Sequence, residues 1–107
     1  KHIFFFESEI DLLSYYSIFE EELNETGNFW LISINGVAIE KVYSFFRYGI
    51  ENLNLKETCQ SLHFCFDNDI AGKQACNKLQ HLEFKNIPFQ NDLPKEFKDW
   101  NEVLQNK

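Results

Sequence analysis

The sequence predicts an α/β fold with about four mainly parallel strands flanked by helices. Short, continuous apolar runs of the kind found in strands buried on both faces occur at Ile3–Phe6, Phe29–Ile34 and Leu62–Phe66. Between them lie longer stretches whose apolar residues recur at helical spacing. Strand and helix therefore alternate along the chain, which is the order that builds a parallel sheet with helices packed over it.

Each element has its own reason. Ile3–Phe6 is followed at once by Glu7, and Ser8 with Asp11 three residues on resembles a capping box that starts a helix. Leu12, Tyr16, Phe19 and Leu23 draw one stripe along that helix, Glu20–Glu22 form its solvated end, and Glu25–Asn28 stop it. Phe29–Ile34 is read as a second buried strand, closed by Asn35-Gly36. Val42, Phe45, Phe46, Ile50 and Leu53 mark a second helix over residues 38–53. The third strand, Leu62–Phe66, runs into Asp67-Asn68-Asp69, after which Ala71, Ala75, Leu79 and Leu82 set out a third helix. Ile87–Phe89 is a short fourth strand, placed at a sheet edge because Pro88 has no N–H to give a neighbour. Leu93-Pro94 is a loop, and Trp100–Leu104 a final helical turn or two.

At 107 residues the chain has room for one compact domain, residues 1–107, and twelve Phe supply bulky core material. It starts at Lys1 and contains no Met, so it is expected to be a domain cut from a longer protein. The net charge of −7 argues against a domain that grips nucleic acid by charge alone. Residues 1–62 hold four basic and ten acidic side chains and residues 63–107 hold six and seven, so a polyanion would meet less repulsion on the second half. Cys59, Cys65 and Cys76 are odd in number and lack C-x-x-C spacing, which points to buried thiols in a reducing cytoplasm rather than disulfides or a zinc ribbon. No run approaches 18 apolar residues, so no membrane span is expected.

In open parallel sheets, sites form outside the carboxyl ends of strands. Acids stand there twice: Glu7 after the first strand, and Asp67 with Asp69 after the third. On an extended backbone, residues two apart point the same way, which would aim both aspartates at one point. Hard oxygen ligands gathered like this suit Mg²⁺, which takes one or two carboxylates, waters and phosphate oxygens. Acids after strands also serve as plain helix N-caps, and that reading stands beside the first.

The ensemble carries a resemblance. Glu7-Ser8-Glu9-Ile10-Asp11 after the first strand, Ser33-Ile34-Asn35-Gly36 after the second, and Phe66-Asp67-Asn68-Asp69-Ile70-Ala71-Gly72 after the third look like the TOPRIM motif series in order. Lys98-Asp99-Trp100-Asn101-Glu102 resembles a further acidic motif of its primase-like members. Ser8 stands where many members have Gly, as in the divergent branch found in plasmid and transposon proteins. The resemblance implies a Rossmann-like three-layer fold and spans about residues 3–104. It implies Glu7 as acid/base and, with Asp67 and Asp69, as a metal ligand, and Asp11 and Asp99 as further acids. It also implies an Mg²⁺- or Mn²⁺-dependent phosphoryl- or nucleotidyl-transfer domain, primer synthesis being the favoured activity. Its partners would be nucleotides, DNA or RNA met through the full-length protein, and other domains of the same chain. A topoisomerase or nuclease domain, a catalytically silent docking module, and a flavodoxin- or receiver-like domain are the competing readings. Gly36 either opens the second helix to phosphate or makes an ordinary Asn-Gly turn. Gly72 serves close helix–sheet packing, and Lys73 is either a phosphate contact or a solvated lysine. Trp100 is a lid on the core, His63 is structural, and His2 and His81 lack zinc spacing.

Overall fold

The computed structural model describes residues 1–36, 39–80 and 87–107. The elements are β1 (His2–Phe6), α1 (Glu9–Thr26), β2 (Phe29–Ser33), α2 (Ile39–Asn52), α3 (Leu55–Thr58), β3 (Ser61–Phe64), α4 (Ile70–Gln80), β4 (Phe89–Asn91) and α5 (Trp100–Gln105). The four strands form one sheet in the order β2-β1-β3-β4, and every described pairing is parallel.

β1 lies inside the sheet, with Phe4 opposite Leu31 on one side and His63 on the other. Successive side chains of a strand point to opposite faces. Ile3 and Phe5 accordingly enter one core cluster with Val42 and Phe46 of α2, Leu55 of α3 and Leu79 of α4. Phe4 and Phe6 enter a second cluster with Tyr15 and Leu23 of α1 and Trp100 of α5. Helices cover both faces, which gives three layers and explains why β1 is apolar without alternation.

Local chemistry sets the element ends. Ser8 Oγ accepts from Asp11 N–H at 3.2 Å and caps α1, and Gly27 N–H closes its other end on Leu23 O at 2.9 Å. Asp99 Oδ1 caps α5 by accepting from Glu102 N–H at 2.9 Å. The buried stripe along the first half of α1 is displaced from the expected one, and the helix leaves helical geometry at Phe19. Asp11, Ser14, Tyr15 and Leu23 are its buried positions, with Leu12, Tyr16 and Phe19 only partly covered.

The expected strand Phe29–Ile34 ends at Ser33 and proves to be an edge strand, half-buried along Phe29–Ser33, since nothing pairs beyond β2 among the described residues, while Ile34 beyond it is buried in the core. β4 is the other edge, as Pro88 required, but it begins at Phe89; Pro88 contributes only its carbonyl, which accepts from Leu62 N–H at 2.9 Å. The one-turn α3 was not expected, because four residues are too few to show a period. His81 and Leu82 lie outside the described residues. The three cysteines are free and buried.

Candidate metal centre

β1 and β3 are neighbours and parallel, so the residues that follow them emerge at the same edge of the sheet. Glu7 and Asp67 meet there: Glu7 Oε2 accepts from Asp67 N–H at 2.7 Å. Glu7 is held from its other side as well, since its carbonyl accepts from Gly36 N–H at 2.6 Å. Gly36 has φ +104°, a conformation glycine adopts without strain, in an Asn-Gly turn whose Asn35 is also left-handed (φ 54°).

Two further acids arrive from helix starts. Asp11, in the first turn of α1, is buried at 5% exposure, and its Oδ1 accepts from Asn101 N–H at 3.1 Å. Asp99 caps α5, and α5 packs on α1 through Trp100 and Tyr15, whose rings meet edge-on with centroids 4.9 Å apart. That packing brings one carboxylate oxygen each of Asp11, Asp67 and Asp99 within 4.8 Å of one another. Asp67 Oδ1 is buried with no hydrogen-bond partner among the described residues.

Asp69 is placed differently from its expected role. The chain bends at Asn68-Asp69 instead of running extended, so Asp67 and Asp69 are not carried to one side by strand geometry. Asp69 Oδ1 accepts from Gly72 N–H at 2.7 Å and caps the start of α4. Asn68, between them, ties this loop to the one before α5: its N–H donates to Lys98 O at 2.6 Å and its Nδ2 to Lys95 O at 3.3 Å. Gly72 is needed at its position, because a Cβ there would lie 2.0 Å from the Asp67 carbonyl oxygen. Lys73 lies exposed on α4.

Charge crowding shows in the acids' proton affinities. Burial, then the charges of Glu7 and Asp11, push the Asp67 carboxyl up to about 7. Burial also raises Glu7, helped by the charges of Asp69 and Asp11 and opposed by the Asp67 N–H and the Lys98 charge. Three carboxylates this close, one of them with a buried oxygen that lacks a donor among the described residues, make a donor set for a hard divalent cation. Mg²⁺ and Mn²⁺ both fit such all-oxygen ligands.

Sequence reasoning gave Asp11 and Asp99 only secondary places and missed Asn68 and Asn101. The signals were present: Asp11 sits four residues after Glu7 at a helix start, and Asn101 lies within the segment Lys98–Glu102.

Fold and site together define the class: a parallel α/β domain with carboxylates gathered at the carboxyl ends of its two central strands. The chain belongs to the Toprim-like family, whose model matches residues 4–104. It is 32% identical over 85 residues to an uncharacterized protein of Bacillus anthracis, pXO2-78, covering 79% of this chain and 23% of that protein. Its structure is similar to the primase fragment of the bacteriophage T7 primase-helicase protein, with a TM-score of 0.63 and 22% identity over 99% of this chain and 39% of that one. A second similar structure is the bacteriophage T7 lagging-strand DNA polymerase interacting with primase domains of two gp4 subunits bound to an RNA/DNA hybrid and dTTP. There the TM-score is 0.54 and the identity 20%, over 99% of this chain and 48% of that one. The chain thus spans less than half the length of each of these proteins.

Proposed function

We propose that this chain is the divalent-metal-dependent phosphoryl- or nucleotidyl-transfer domain of a larger, primase-like protein that acts on DNA or RNA. The observation that carries the reading is the meeting of Asp11, Asp67 and Asp99 beside Glu7, with Asp67 Oδ1 buried and without a donor among the described residues. The family match and the likeness to primase structures support it.

Asp67, Asp11 and Asp99 would hold Mg²⁺ or Mn²⁺, and Asp69 would contribute only through the oxygen that does not cap α4. The ion, when bound, neutralises phosphoryl oxygens and acidifies a bound hydroxyl or water. Glu7 would accept the proton: its burial raises its affinity for one, while the Asp67 N–H fixes one of its oxygens. Gly36 would act by holding Glu7, because its N–H is already given to the Glu7 carbonyl. Lys73 is exposed and available for a phosphate contact from α4.

Metal titration followed by thermal unfolding tests the reading. A ligand that binds only the folded state raises Tm by mass action, by several degrees for a domain of this size at saturating metal. Millimolar Mg²⁺ or Mn²⁺ is expected to give that rise, and Asp67→Asn to abolish it; an unmoved wild-type Tm overturns the proposal.

A catalytically silent docking module has one observation in its favour. Ile10 and Leu13, one turn apart on α1, and Ile70 at the start of α4 are exposed apolar side chains. Glu7→Gln in the full-length protein separates the two readings: primer synthesis is lost if Glu7 moves the proton and unchanged if the domain only docks.

A further inference from the structure

We propose that the cleft between α1, α5 and the segment joining β4 to α5 binds a cationic side chain, an arginine carried on a segment of a partner protein. The cleft measures about 560 Å³ and is lined by the half-buried rings of Phe19 and Phe97 and the buried ones of Tyr15 and Trp100, with Asp92 and Glu96 also among its lining. Trp100 meets Tyr15 and Phe19 edge-on, at 4.9 Å and 5.9 Å between ring centroids, and α1 departs from helical geometry at Phe19 (φ −113°, ψ 22°). Aromatic faces attract cations through their quadrupoles, and a planar guanidinium both stacks on rings and forks onto a carboxylate.

Asp92 supplies the charge. Its Oδ2 accepts from His63 Nδ1 at 2.8 Å, and Gln90 Nε2 donates to both oxygens at 2.8 and 3.0 Å. These donors orient the carboxylate. Burial opposes ionisation, yet the bonds from His63 and Gln90 hold the Asp92 carboxyl below its ordinary value. Lys95 also borders the cleft but is exposed, and Glu96 offsets it. A nucleic-acid strand fits the aromatic walls but brings phosphates against Asp92, so charge favours the protein partner.

The test is an NMR titration of the chain with acetyl-Gly-Arg-Gly-amide and with the same peptide carrying neutral citrulline. The arginine peptide is expected to shift the Trp100 indole and the Phe19 and Phe97 resonances saturably, with the citrulline peptide at least about tenfold weaker, the effect of roughly 1.4 kcal/mol. Asp92→Asn and, should that variant unfold, the exposed Glu96→Gln are each expected to weaken binding. Equal binding of the citrulline peptide, no saturable shift at Trp100, or tighter binding of a single-stranded oligonucleotide there would each overturn the proposal.

Discussion

Asp67 is pulled two ways: its backbone anchors Glu7, while its carboxyl sits among acids with one oxygen lacking any described donor. Its pKa, about 7 in the folded chain against an ordinary 3.8, fixes the sign of its pH effect. The folded state holds this proton more tightly than the unfolded one, so the contribution to stability is fully present below about 3.8 and is lost as pH rises through about 7. Glu7, also raised, acts in the same direction. Urea unfolding of wild type and Asp67→Asn across that window should therefore show wild type losing stability with rising pH relative to the variant. Metal binding requires the ionised carboxylate, so Mg²⁺ should stabilise wild type more at pH 8 than at pH 6. A pH-independent difference between the two chains would contradict the crowding seen here.

The start of α4 is where an element and the site depend on each other. Asp69 caps the helix, and Gly72 lets it approach the Asp67 carbonyl. Asp69→Ala should cost about 1 kcal/mol, the usual worth of an N-cap, whereas Asp69→Ser, which can still cap, should stay within about 0.5 kcal/mol of wild type. If the serine variant also keeps the metal-induced rise in Tm, Asp69 is a cap and not a ligand. Gly72→Ala forces a methyl against backbone and should destabilise by about 1–3 kcal/mol while weakening the metal response, because Asp67 must move. Chemical denaturation with and without Mg²⁺ reads both effects.

Across the molecule, β1 joins the two cores: Ile3 and Phe5 enter one, Phe4 and Phe6 the other. Phe5, fully buried, contacts Phe45 edge-on at 5.8 Å and Phe64 at 5.9 Å. Phe5→Ala should cost about 3–5 kcal/mol in the unfolding free energy, a large share of what a domain this size has. The site should suffer too, since Glu7 is placed by the end of this strand.

Much of this architecture is legible in the order of the residues. An apolar run with polar punctuation identifies a strand, helical spacing identifies the crossovers, and their alternation dictates a parallel sheet, so Glu7 and Asp67 had to emerge at one end of it. These are properties of neighbouring residues, which a chain displays in its order. Strand order was not of that kind: Phe29–Ser33 reads as apolar as β1 yet lies at an edge, because apolarity does not say how many neighbours a strand acquires. Nor could spacing reveal that Asp11 and Asp99 join Asp67, since helix-on-helix packing of α1 and α5 brings together acids from opposite ends of the chain. Nor could spacing show that the chain bends at Asn68-Asp69 and gives one oxygen of Asp69 to the start of α4, through a contact with Gly72 that exists only once α4 has formed.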